Sequence, residues 1–182
     1  MDEEKVFVRK SPPGPSEHIG DEGVFREVIG ASWLKKDIYA FRLGRGNRKI
    51  LFCADGGAQS FGVTPMLTSW IGALAHADSL NTSLAGCNVR NLLNKCTVYV
   101  IPCLNPDGAD IALNGIGEDN PFYARVKSIC GSEGFEGWQA NGRGIDIRRN
   151  FNSKWVESKL AERRSQRLFP SPSDFGGEYP ES

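Results

Sequence analysis

The stretch Ile50-Leu51-Phe52-Cys53-Ala54-Asp55-Gly56-Gly57-Ala58-Gln59-Ser60-Phe61-Gly62-Val63-Thr64-Pro65 decides the fold class of this chain. Its first five residues are a continuous apolar run, too short for a helix, as expected of a central strand buried on both faces. The glycine-rich middle is a turn. Thr64 then reads as a helix N-cap with Pro65 at the first helical position. Leu67, Trp70, Ile71, Leu74 and Ala75 follow at the spacing of one apolar helix face.

Upstream, Val24–Ser32 and Asp37–Leu43 read as strands. Gly44-Arg45-Gly46-Asn47 reads as a hairpin turn, because Gly and Asn accept positive φ. Downstream, the pattern predicts a helix around Cys87–Lys95 and a second central strand over Thr97–Pro102, with a third short strand at Ile145–Ile147. Strands alternating with helices predict an α/β fold, a mixed central sheet flanked by helices. Pro and Gly between Lys10 and Gly23 mark a flexible lead-in over 1–23, which leaves 24–182 as one domain. The tail after Trp155 is polar and basic and then Pro-, Ser- and Gly-rich from Pro170, so it is expected to offer little core.

Composition narrows the function classes. With 22 Lys and Arg against 22 Asp and Glu, the formal net charge is zero, and no nucleic-acid partner is expected. No run of 18 apolar residues is present, so no membrane span is expected. The five cysteines are odd in number and form no CxxC pair, which argues against a disulfide framework and a cysteine zinc knuckle. Reduced thiols and a start without the order of a secretory signal point to the cytoplasm.

Two further stretches carry specific patterns. Val98-Tyr99-Val100-Ile101-Pro102-Cys103-Leu104 runs into Asn105-Pro106-Asp107-Gly108, which reads as turn chemistry at a strand end. Asn141-Gly142-Arg143-Gly144-Ile145-Asp146-Ile147-Arg148-Arg149-Asn150-Phe151 sets two arginines at the end of the short strand. A guanidinium offers planar, bidentate bonds to a carboxylate. Adjacent strand residues point to opposite faces, so only one of Arg148 and Arg149 is expected to serve a site. A structural salt bridge is the alternative role.

Taken in order, these three stretches resemble the zinc carboxypeptidase family, most closely its bacterial branch that cleaves γ-D-glutamyl–diamino acid bonds in cell-wall peptides. The resemblance runs from about Phe25 to the C-terminus and implies a phosphorylase/hydrolase-like carboxypeptidase fold, here incomplete at its C-terminal side. It also implies that Arg149 grips a substrate carboxylate, that Arg148 stands where the family has Asn, and that Arg143 is a candidate oxyanion-stabilising group. The family's first two zinc ligands, in the motif His-x-x-Glu, fall on Gly57 and Ser60. Glycine has no side chain, and a serine hydroxyl is a poor zinc ligand. Its third ligand and general base have no counterpart in this chain. The two histidines are His18 in the lead-in and His76 on the helix after Pro65, where a lone His is more often a surface residue than a ligand.

The family reaction needs zinc to activate water and a glutamate to move its proton. The expectation is therefore a zinc-free, non-hydrolytic protein with no cofactor, whose partner is a peptide or cell-wall peptide with a free carboxylate. One alternative is the N-terminal fragment of an active or diverged metallocarboxypeptidase. Another is a serine hydrolase using Ser60, since Ala58-Gln59-Ser60-Phe61-Gly62 loosely follows the G-x-S-x-G elbow, although no base histidine follows His76. Family strands missing from this chain imply an exposed sheet edge and self-association through it.

Overall fold

A computed structural model describes residues 23–54, 62–131, 134–165 and 168–180. The lead-in apart from Gly23, together with His18, Gly57 and Ser60, lies outside the described residues.

The chain is a mixed α/β structure. The strands β1 (Phe25–Ala31), β2 (Asp37–Gly44), β3 (Arg48–Cys53) and β6 (Cys96–Ile101) form one sheet in the order β1-β2-β6-β3. β1 pairs antiparallel with β2, β2 antiparallel with β6, and β3 parallel with β6. The short strands β4 (Ser83–Leu84) and β5 (Cys87–Asn88) pair as a hairpin, with Ala85 and Gly86 at positive φ between them. The helices are α1 (Val63–Ser79), α2 (Val89–Lys95), α3 (Pro106–Asn114), α4 (Tyr123–Cys130) and α5 (Trp155–Arg164).

The strands β1, β2 and β6 and the helices α1 and α2 lie close to their expected positions, but the hairpin does not form. β6 lies between β2 and β3, so Gly44–Asn47 is a passage across the start of β6 rather than a two-strand turn. Close approach explains its glycines. A Cβ on Gly46 would stand 1.9 Å from the Lys95 carbonyl carbon, and one on Gly44 2.5 Å from the Cys96 oxygen. Arg45 N–H donates to Leu93 O and Gly46 N–H to Cys96 O, which fastens the passage.

The burial expected for Ile50–Ala54 holds at Ala54 and in part at Ile50, but not at Leu51, Phe52 and Cys53. β3 is an edge strand, because the described chain supplies a neighbour on one side only. Leu51 is 62% exposed and Phe52 39%. The helix-covered face of the sheet carries Phe41 and Leu43 of β2 and Val98 and Val100 of β6, packed with Leu67, Ile71 and Leu74 of α1 and Val89 and Leu93 of α2. Burying a side chain of this size stabilises the fold by roughly 1.5–3 kcal/mol. Thr64 does not cap α1. The cap is Gly62, and the Thr64 hydroxyl instead donates to Pro102 O at 2.7 Å, tying the first turn of α1 to the end of β6.

A second core gathers Ile111 of α3, Val126 and Cys130 of α4, and Trp138 and Ala140 of the following loop. The predicted strand at Ile145–Ile147 is absent. Ile147–Arg149 forms a single 3-10 turn, because the Asp146 side chain accepts from Arg148 N–H and closes the backbone there. The tail also departs from its expected lack of core. It contributes α5, and Phe175 and Glu162 are both buried.

Candidate functional site

The site is built at the end of β6. Asn105-Pro106-Asp107-Gly108, expected as a turn, is the capped start of α3. The Asn105 side chain accepts from Gly108 N–H at 2.9 Å, and Pro106 opens the helix. The same Asn105 amide donates to Gln139 O and Ala140 O at 3.1 Å each. Asp107 is fully buried, and its Oδ2 accepts from Leu34 N–H at 3.1 Å and Gly142 N–H at 3.4 Å. Position 108 has to be glycine here, since a Cβ would stand 2.4 Å from Ala140 O. These four residues hold the loop that presents the arginines.

Within that loop the Asn141 side chain accepts from Arg143 N–H at 2.9 Å and Ile145 N–H at 3.2 Å. The turn delivers Asp146, which has no exposed surface, to the centre of a charged cluster. Arg148 meets Asp146 in a bidentate pair, Nε to Oδ1 at 2.9 Å and Nη2 to Oδ2 at 2.8 Å, and also donates to Gln139. Arg149 donates from Nη2 to Asp174 at 2.6 Å, while its Nε stands 3.9 Å from Asp146. The two arginines therefore do not diverge to opposite faces as strand residues would. The 3-10 turn gathers both around one carboxylate. Arg143 is half-buried and is linked to them by no described side-chain contact.

Electrostatics follow from this packing. Burial pushes the Asp146 carboxyl up, but the hydrogen bond and charge of Arg148, with the N–H groups of Asp174 and Arg148, outweigh it. The net result lies below the usual carboxylate range. Burial pushes the Cys103 thiol up, against lowering hydrogen bonds from Asn105 and Thr64. A cleft beside Cys103 is lined by Tyr39, Phe41, Thr64, Thr68 and Pro106, and no arginine reaches it.

The tail locks the cluster. Asp146 N–H donates to Phe175 O at 2.7 Å, and Asp174 N–H reaches Asp146 Oδ2 at 3.3 Å. The Asn150 amide donates to Gly176 O and Tyr179 O, both at 2.7 Å. Reading the residues in isolation missed Asp146 and Asp174 as the partners of the arginines. The local signal was an aspartate flanked by Ile145 and Ile147 just before two arginines. His76 lies exposed on α1. Among the described residues, no three His, Cys, Asp or Glu side chains gather where they could hold a metal ion, and no helix is long and apolar enough to cross a membrane.

Comparison with known proteins places these features. A sequence model described as zinc carboxypeptidase matches residues 23–182. A gamma-D-glutamyl-L-diamino acid endopeptidase 1 of Lysinibacillus sphaericus is 29% identical over 153 residues, 84% of this chain and 38% of its own length. An uncharacterized protein of Bacillus subtilis is 27% identical over 157 residues, 84% of this chain and 40% of its own length. The chain thus spans about two fifths of the length of these curated relatives. Among solved structures, carboxypeptidase A from Helicoverpa armigera superposes with a TM-score of 0.60 at 17% identity, over 88% of this chain and 35% of that one. Bovine thrombin-activatable fibrinolysis inhibitor, in complex with tick carboxypeptidase inhibitor, gives 0.54 at 20% identity, over 88% and 45%. At these identities the structural likeness speaks for the fold.

Proposed function

The chain belongs to the zinc carboxypeptidase family, and on that premise we propose that it binds peptide carboxylates without hydrolysing peptide bonds. The observation that carries this reading is the identity of residues 57 and 60. By the sequence resemblance, counting back from Thr64-Pro65, the family's first two zinc ligands fall on Gly57 and Ser60, and neither supplies imidazole, thiolate or carboxylate. That donor set does not fit a zinc ion, so no step of a metal-assisted reaction is assigned to this chain.

The carboxylate end of the site is better preserved. Arg148 is the weaker candidate, since both of its inward donors are taken by Asp146. Among the described residues the Arg149 guanidinium makes one hydrogen bond, to a partly exposed Asp174, and its Nε is too far from Asp146 for a second. An incoming carboxylate has only to compete with Asp174 for a half-exposed guanidinium. Arg143 is the remaining candidate cation of this loop, and no described side-chain contact joins it to Arg149. The ligand class is a peptide with a free C-terminus, cell-wall peptides included.

Two measurements test the reading. After zinc loading and dialysis, elemental analysis should find no stoichiometric zinc; one tightly held zinc per chain would refute the proposal. Peptides with a free C-terminus should bind, amidated ones should not, and Arg149→Ala should weaken the former by roughly tenfold or more, the value of one charged hydrogen bond. A second reading, part of a longer peptidase whose other segments complete a metal site, is favoured by the two-fifths coverage of the relatives. Hydrolysis of γ-D-glutamyl peptides by a longer chain that contains this one would favour it.

A further inference from the structure

Arg148 and Arg149 each meet a carboxylate, but the two pairs are built differently. Asp146 has no exposed surface and takes Arg148 through both oxygens, Nε to Oδ1 at 2.9 Å and Nη2 to Oδ2 at 2.8 Å. Separating that pair would strand a buried charge, so it holds the loop and does not open. Asp174 is partly exposed and meets Arg149 through one described contact, Nη2 to Oδ1 at 2.6 Å. Separating this second pair leaves both charges within reach of water, where an ion pair is worth little.

The backbone around Asp174 is fixed on both sides. Pro172 O accepts from Gln139 N–H at 2.8 Å and Ala140 N–H at 2.9 Å. Phe175 is buried, and its carbonyl accepts from Asp146 N–H at 2.7 Å. Gly176 N–H donates to the buried Glu162 at 3.0 Å, and Gly176 O accepts from Trp155 Nε1 at 2.9 Å. Between these anchors Asp174 adopts a left-handed conformation, with φ at 67°. A residue with a Cβ is strained there, whereas glycine is not. Glycine at 174 would make the same turn with less strain. What the aspartate adds is a carboxylate against Arg149, with Ser173 Oγ donating to its other oxygen at 3.2 Å.

We infer that Asp174 is a built-in occupant of the Arg149 grip, a tethered carboxylate that a peptide terminus must displace in order to bind. This role rests on the carboxylate-binding reading of Arg149 and adds regulation to it. A carboxylate oxygen on a guanidinium nitrogen is the contact an incoming C-terminus would itself make. Because its backbone is pinned, the tethered group competes at an effective concentration on the order of millimolar. Weak carboxylate ligands are thereby kept out. On displacement Asp174 retains the Ser173 hydroxyl and gains water, so only a side chain has to move while the anchored turn stays in place.

Titration calorimetry with N-acetyl-trialanine, and with its C-terminal amide as control, tests this role. Asp174→Asn keeps the shape and loses the charge; Asp174→Gly removes the side chain and suits the left-handed backbone. Each should bind the free peptide about tenfold more tightly than the wild type, the worth of one charge-assisted hydrogen bond. The amide should gain nothing, and Arg149→Ala in the Asp174→Gly background should erase the gain. The urea midpoint of Asp174→Gly should not fall below that of the wild type, since relief of strain offsets the loss of a partly exposed ion pair. Equal affinities of the wild type and both variants would overturn the occupant role and leave the carboxylate-binding reading intact. A lowered midpoint without a gain in affinity would also overturn it, reducing Asp174 to a tie for the tail. Absence of binding by the wild type and both variants would overturn the carboxylate-binding reading itself, and the occupant role with it.

Discussion

The arginine loop and strand β3 are both apolar-flanked segments close to glycine, yet they end in opposite conditions. The loop at 138–150 is held from several directions by side chains bonded to main chain: the buried Asn105, Asp107, Asp146 and Asn150 and the half-buried Asn141. β3 is held from one side by a single neighbour and shows apolar residues on both faces. The difference teaches that polar side chains, more than apolar ones, position this site. A buried donor or acceptor left without its partner costs about 1–3 kcal/mol, whereas an exposed leucine contributes little to stability.

That contrast can be broken by substitution. The largest effect is expected from Asn105→Ala, which removes the α3 cap, strands Gly108 N–H and takes a donor from the carbonyls of Gln139 and Ala140, the latter keeping its bond from Trp138 Nε1; about 3 kcal/mol of unfolding free energy should be lost in urea titrations. Asp146→Asn should cost less, about 1.5 kcal/mol, because Arg148 and Arg149 are partly exposed and rehydrate. Smallest of all, Leu51→Lys should change unfolding free energy by under about 0.5 kcal/mol in dilute protein, as befits an exposed edge position. Equal losses for Asn105→Ala and Leu51→Lys would erase the contrast.

Acid sharpens the same comparison. The folded Asp146 carboxyl sits below its ordinary range, so the folded state binds its proton less readily than the unfolded chain. Its stabilising contribution is full above the unfolded value, about 3.9, and is lost as pH falls through the folded one. Urea midpoints of the wild type should therefore decline as pH falls below about 5, more steeply than those of Asp146→Asn. Parallel declines would remove Asp146 as a source of acid sensitivity and leave Asp78, whose carboxyl the Arg45 hydrogen bond also holds below its ordinary range.

Much of the architecture was legible one residue at a time. Leu67, Ile71 and Leu74 lie on one face of α1, and strand patterns placed β1, β2 and β6, since periodicity reports which face is buried. Asn105–Gly108 and Gly144–Phe151 indicate the family, but Asn105–Gly108 opens a helix where a turn is expected, and no strand forms at Ile145–Ile147. A Pro after Asn serves a turn and a helix start alike, and only the Gly108 N–H bond separates them. Ile145 and Ile147 suggested alternation, while the Asp146 side chain bent the backbone between them.

What the sequence determined by itself is therefore local and chemical: the element types, the zero net charge, two arginines in tandem, and a glycine-rich turn that carries Gly57 and Ser60. Tertiary structure alone decided that β6 separates β2 from β3, which leaves β3 outermost among the described strands. It also decided that Arg149 meets Asp174, 25 residues away, and that Asp107 holds Leu34, 73 residues away. The physical reason is the same in each case. Periodicity records whether a residue faces the interior, but which strand or carboxylate it meets there depends on how distant segments pack.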